Sequence, residues 1–227
     1  MGIIKGNNAG EQLNNLSFQI RESYKMARTS IAYSIIKKGC KKVAFTSSTK
    51  GEGKTITSTN IAVALAQQVG TRVLIIDCDL RRPRVHSAIN IEPFPGLANY
   101  LNEECQLDDI IKDTGVDNLS AICFGAIPPN PSELLSSDSM HEMIKELEKR
   151  FDYIIFDTPP VNVVIDAVPM IKESDGVVIV VRDKTTTYAN LNRTKESILR
   201  AGGKILGVII NRVKSSEAKK GYYYQYK

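Results

Sequence analysis

The sequence predicts an α/β fold in which a mostly parallel sheet carries helices on both faces. Three observations lead there. Short continuous apolar runs alternate with helix-compatible stretches, as in sheets buried on both sides. A turn rich in glycine and lysine, Gly51-Glu52-Gly53-Lys54-Thr55, joins an apolar run to a stretch with helical spacing. Two other apolar runs end in aspartate, at Asp77 and Asp157, where a parallel sheet places its ligand.

Taken in order, "SFQIRESYKMARTSIAYSII" has helical spacing through Ile20, Tyr24, Met26, Ala27 and Ile31, which predicts a helix over 17–36. Strands are expected over 43–46, 73–77, 119–123, 153–157, 177–181 and 206–210. Helices are expected over 55–68, where Ile56, Ile61, Ala62 and Leu65 carry the period, and over 132–150, 165–173 and 189–201. The 227 residues suit one large domain, placed over 1–211, and the polar, aperiodic segment 212–227 reads as a mobile tail. No internal repeat or long linker interrupts the chain.

The net charge of +5 is modest, and much of it comes from Lys37, Lys38, Lys41 and Lys42 and from Lys214, Lys219, Lys220 and Lys227. Such clusters read first as solvated faces and second as contacts for acidic head groups or an acidic partner segment. A nucleic-acid partner is not expected. Cys40, Cys78, Cys105 and Cys123 form no CxxC pair, so neither a zinc site nor a disulfide framework is indicated. The N-terminal stretch lacks a signal-peptide core and no run reaches membrane-spanning length; "GVVIVV" reads as a buried strand.

The turn is built for a polyphosphate. Glycines let backbone N–H groups approach oxygens, a helix N-terminus favours negative charge, and a lysine reaches terminal phosphates. The segment Lys50, Gly51, Glu52, Gly53, Lys54, Thr55 and Ile56 is therefore the expected nucleotide-binding loop. Ser48 stands where the usual formula has its first glycine. A plain strand-turn-helix corner with a solvated lysine is the alternative.

A bound triphosphate needs a divalent cation, and magnesium takes few protein oxygens plus water. Asp77 and Asp79, two apart in "VLIIDCDLRRP", share a face, and Asp157 closes "YIIFDTPP" ahead of two prolines that leave the sheet. Asp152, Asp166, Asp175 and Asp183 read instead as turn or cap residues. Of Arg81, Arg82 and Arg84, one could steady charge on a γ-phosphate, and surface pairing is expected for at least two.

Together the phosphate loop, "VLIIDCDLRRP", "GAIPPNPSELLSS", "FDYIIFDTPP" and the closing "GYYYQY" resemble the bacterial tyrosine kinases of capsule and exopolysaccharide synthesis, in their stand-alone cytoplasmic Gram-positive form. This family is a branch of the P-loop NTPase superfamily. The resemblance implies ATP and Mg2+ as cofactors, with Lys54 on the β- and γ-phosphates and Thr55, Asp79 and Asp157 holding the metal and its waters. It implies Asp77 as the base for the tyrosine hydroxyl. It makes Tyr222, Tyr223, Tyr224 and Tyr226 phosphorylation sites, modified in trans by a neighbouring subunit.

The family also implies a membrane activator of the polysaccharide co-polymerase type, recruitment from the cytoplasm to the inner face of the membrane, an opposing phosphotyrosine phosphatase and other protein substrates. Its Glu-x-x-Arg-x-x-Arg pattern appears here as Glu22, Lys25 and Arg28, with lysine for the first arginine, and implies a ring-like homo-oligomer; an intrahelical salt-bridge ladder is the other reading. Asn211 and Arg212 end the last strand. Relatives place this asparagine near adenine, with loop capping as the alternative. The competing function is a partition- or division-type ATPase switch. Those ATPases carry a signature lysine where this chain has Thr49; Lys50 does not satisfy that pattern, and Thr49 and the tyrosine tail favour the kinase. An iron–sulfur carrier of the superfamily would need the missing CxxC.

Overall fold

The computed structural model describes residues 16–213. In chain order the elements are α1 (Phe18–Ser34), β1 (Lys41–Ser47), α2 (Lys54–Ala66), β2 (Val73–Asp77), α3 (Val85–Ile89), α4 (Leu97–Leu101), α5 (Leu107–Ile110), β3 (Lys112–Asp113), β4 (Leu119–Ile122), α6 (Pro131–Leu135), α7 (Asp138–Glu148), β5 (Tyr153–Asp157), α8 (Ala167–Glu173), β6 (Gly176–Arg182), α9 (Tyr188–Arg200) and β7 (Ile205–Asn211). The strands form one sheet in the order β3-β4-β2-β5-β1-β6-β7. All neighbours are parallel except the short β3 against β4.

The apolar runs are continuous because both faces are covered. On one face Val43, Phe45, Val73, Ile75, Ile155, Val178 and Val180 pack with Ile31 of α1, Ile61 and Leu65 of α2, and Val85 and Ile89 of α3. On the other, Ala44, Leu74, Ile76, Ile154, Phe156, Val177 and Ile179 meet Leu97, Ile110, Leu135, Met143, Leu147, Met170 and Ile198. Alternate residues of each strand therefore enter different layers, as the strand period of two requires. Edge strand β7 is the exception, with Val208 and Ile210 exposed.

The single helix expected over 132–150 is two helices. Ser137 is the reason: its hydroxyl donates to Leu134 O at 2.8 Å and accepts from Met140 N at 3.2 Å, which caps α7 and ends α6. The helix expected over 165–173 starts at Ala167. The short α3, α4, α5 and β3 were not anticipated, because segments this short carry too little period to register. No helix among the described residues is long and apolar enough to cross a membrane.

Candidate functional site

Strand β1 lies between β5 and β6, and β2 lies on the other side of β5. Register sets Asp157 opposite both Phe45 and Asp77, so the loops leaving β1, β2 and β5 open at one edge. Two backbone bonds tie these ends together, Cys78 N to Asp157 O at 2.9 Å and Thr158 N to Phe45 O at 3.0 Å. The crevice is where a parallel sheet binds its ligand.

Lys54 is the first residue of α2 and not a loose surface lysine: its side chain is only 7 % exposed. The ammonium lies 2.9 Å from Asp157 Oδ1 and 3.8 Å from Asp79 Oδ2, yet makes no well-directed hydrogen bond. Its charge is matched while its N–H donors remain unspent, at a helix N-terminus that itself attracts anions. Thr55 Oγ1 donates to Asp157 Oδ2 at 2.7 Å, and Ser58 Oγ lies 3.0 Å from Asp157 Oδ1. Four of the residues singled out in the sequence, Lys54, Thr55, Asp79 and Asp157, thus converge on one carboxylate-ammonium centre.

Asp77 is wholly buried. Its Oδ2 accepts from Arg84 N at 3.0 Å and Val85 N at 2.9 Å, and its Oδ1 accepts from Asp79 N at 3.3 Å. Burial first, and the Asp157 charge second, push its carboxyl up to about 7. Asp79 is also raised by burial, against the pull of Lys54. Its side chain keeps 13 % exposure, whereas Asp77 keeps none. No set of three or more His, Cys, Asp or Glu side chains among the described residues could hold a metal by itself. A cation here would share its shell with phosphate oxygens and water, which suits magnesium.

The loop between β1 and α2 is braced from behind. Glu52 is buried, with Oε2 accepting from Ser48 N at 2.7 Å and Thr49 N at 3.0 Å, and Oε1 from the Thr186 hydroxyl. Its carboxylate is therefore spent inside the protein, leaving backbone groups to face a ligand. Asn211 Nδ2 donates to Glu52 O at 3.1 Å, and Arg212 N donates to Asn211 Oδ1 at 2.7 Å. In this structure Asn211 holds the loop. Gly53 must be glycine: φ is +92°, and a Cβ would fall 1.9 Å from Asn211 Nδ2. Gly51, at φ +79°, makes the turn ahead of it, while Lys50 and Ile56 are exposed on either side.

Ser48 also has a structural reason. Its buried hydroxyl receives a 2.8 Å bond from Thr194 Oγ1, which in turn receives Asn162 Nδ2 at 2.8 Å. A glycine there would remove this link between the loop and α9, leaving Thr194 Oγ1 with Asn190 O at 2.9 Å as its acceptor. Asp166 corrects the sequence reading: it makes no side-chain cap bond and instead takes Arg81 on both oxygens, from Nε at 2.5 Å and Nη2 at 3.3 Å. No local pattern marked it. Asp152 and Asp175 accept backbone N–H groups from Arg72 and Lys42, 80 and 133 positions away, and so tie separate segments together rather than closing local turns.

Away from the crevice, Lys25 pairs with Glu22 within α1 at 2.8 Å, and Arg28 Nη1 donates to Ala64 O of α2 at 3.0 Å. Tyr222, Tyr223, Tyr224 and Tyr226 lie outside the described residues.

A family model described as an AAA domain matches residues 40–201. The chain is 38% identical over 203 residues to "Tyrosine-protein kinase YwqD" of Bacillus subtilis (strain 168), covering 89% of this chain and 85% of that protein. The crystal structure of the chimerical protein CapA2B2 superposes with a TM-score of 0.82 at 34% identity, over 86% of each chain. The cell division ATPase MinD of Pyrococcus furiosus is more distant, with a TM-score of 0.65 at 25% identity over 81% of this chain and 79% of that one.

Proposed function

The chain belongs to the bacterial tyrosine kinases, a P-loop nucleotide-binding family, and on that footing we propose that it phosphorylates, in trans, the tyrosines of its own C-terminal tail and so regulates capsule or exopolysaccharide synthesis. The observation that supports the site most directly is the Lys54 ammonium, enclosed by Asp157 and Asp79 at the N-terminus of α2 with its donors unspent. A structural ion pair would use those donors. One awaiting phosphate oxygens keeps them.

These residues fit a nucleoside triphosphate with Mg2+. When bound, the pair supplies the transferable phosphoryl group and neutralises its charge. Lys54 and the backbone of 50–56 would hold the phosphates, and the Thr55 hydroxyl would turn from Asp157 to the metal. Asp79 and Asp157 would hold the metal's waters. A tyrosine hydroxyl ionises only near pH ~10, so a carboxylate beside it takes its proton as transfer proceeds. Asp77 is the carboxylate the family resemblance gives this role; Asp79, the more exposed of the two, is the alternative, and Asp77 accepts the Asp79 backbone N–H. Positioning and charge neutralisation carry most of the rate.

The same reading includes activation by the cytoplasmic segment of a membrane protein, which recruits the kinase to the inner face of the membrane, reversal by a phosphotyrosine phosphatase, other protein substrates, and ring-like self-association through Glu22, Lys25 and Arg28. Because Arg28 already donates to Ala64 O, assembly by this face requires Arg28 to serve both contacts. The test is incubation with γ-labelled ATP and Mg2+, with and without candidate activator segments, followed by phosphosite mapping. Label on Tyr222 to Tyr226 is expected. ATP hydrolysis without phosphotyrosine would return the chain to the ATPase-switch reading.

A further inference from the structure

The loop leaving β2 carries Asp79 and Arg81, and the loop leaving β5 runs from Asp157 to Asp166 at the start of α8. Beyond the Cys78 N to Asp157 O bond, the side chains of Arg81 and Asp166 close the two loops on each other, through two N–H to carboxylate bonds at 2.5 and 3.3 Å. The two partners are unequal. The Asp166 side chain is 2 % exposed and Arg81 is 50 % exposed. The pair is also within electrostatic reach of the site, since Asp79 raises Arg81 and Asp166 raises Asp79.

A buried carboxylate needs its cation. Were Arg81 to swing away, Asp166 would be left charged and unpaired, which is strongly unfavourable. Asp166 therefore fixes the guanidinium plane. A guanidinium has five N–H donors, and the bidentate contact uses two. The others stay on the exposed half of the group, within electrostatic reach of the carboxylate that neighbours Lys54. Arginine suits an arriving phosphoryl group because its donors are planar and rigid.

We infer that Asp166 is a positioning residue: it anchors Arg81 so that the free edge of the guanidinium meets the phosphoryl group in transit between nucleotide and tyrosine. This rests on the kinase reading above. The role belongs to the transfer step and not to nucleotide binding, which the loop and Lys54 provide.

The experiment compares wild type, Asp166→Asn, Arg81→Lys and the double variant. Each is measured for kcat on a tyrosine peptide, for Kd of a fluorescent ADP with Mg2+, and for the Arg81 Nε–Hε signal in 15N-arginine-labelled protein without nucleotide. Loss of the carboxylate charge should lower kcat by about tenfold or more while Kd changes less than about threefold. The double variant should be no slower than the slower single one, because both changes break one unit. The Arg81 Nε–Hε signal should be protected from exchange in wild type and lose that protection in Asp166→Asn.

If Asp166→Asn fails to fold, Arg81→Lys, at a half-exposed position, still reads kcat against Kd. Unchanged kcat in Arg81→Lys, multiplicative losses in the double variant, or an Arg81 signal identical with and without the Asp166 carboxylate would each overturn the assignment. Failure of the kinase reading itself would look different, as wild type without phosphotyrosine, and would remove the assignment with it.

Discussion

Asp77→Asn should make the nucleotide-free protein more stable at alkaline pH while cutting phosphoryl transfer. Asp77 is buried beside Asp157 and Asp79, and its carboxyl is raised from 3.8 to about 7. Between those two pH values the folded state holds a proton that the unfolded chain has released. Stability from this group is thus full below pH ~4 and is lost as pH rises toward 7. A shift of this size has a ceiling of ~4 kcal/mol. The amide can still accept from Arg84 N and Val85 N, but it gives up the acceptor facing Asp79 N, which costs about 1 kcal/mol. Partial solvation of the crevice takes more. The expected gain at pH 8 is about 1–3 kcal/mol, or roughly 3–10 °C in Tm, shrinking to nothing near pH 4. Paired urea titrations at pH 4, 6 and 8, without nucleotide, measure it. A variant less stable than wild type at pH 8, or a difference independent of pH, would refute the reasoning.

Further substitutions probe other contacts of the site. Lys54→Met should abolish transfer and also destabilise the fold by roughly 3 kcal/mol, because Asp157 loses its buried counter-charge; denaturant titration beside a kinase assay checks both. Thr194→Val should cost about 1–2 kcal/mol by unpairing the Ser48 hydroxyl and removing one of the two acceptors of Asn162 Nδ2, with nucleotide affinity falling in the same preparation. Glu52→Ala should weaken nucleotide binding by about tenfold or more without touching the ligand, since the Ser48 and Thr49 N–H groups and the Thr186 hydroxyl lose their acceptor; calorimetric titration with MgADP measures it.

The sheet and its crevice were legible because buried parallel strands leave continuous apolar runs and because Lys54, Thr55, Asp77, Asp79 and Asp157 stand at strand ends or turn boundaries. The resemblance then supplied the chemistry. What escaped has physical reasons. The break at Ser136 and Ser137 depends on a hydroxyl capping a helix inside an otherwise helical pattern. Glu52 reads only as one residue of the expected nucleotide-binding loop, and only the fold brings Thr186 from beyond β6 to its carboxylate. Asp166 meets Arg81 across 85 positions of sequence, which no local window spans. The depth at which Lys54 and Asp77 are buried follows from three loops closing together, and this turns a substitution at Lys54 from a surface change into loss of a buried counter-charge.

The proposed reaction is phosphoryl transfer to tyrosine between subunits at the Lys54, Asp79 and Asp157 centre. Mixing a Lys54→Met subunit with one whose Tyr222, Tyr223, Tyr224 and Tyr226 are changed to phenylalanine, under labelled ATP, Mg2+ and an activating segment, tests it most directly. Label on the tail of the Lys54→Met subunit is the expected result. No label in the mixture, where wild type is labelled under the same conditions, would contradict it.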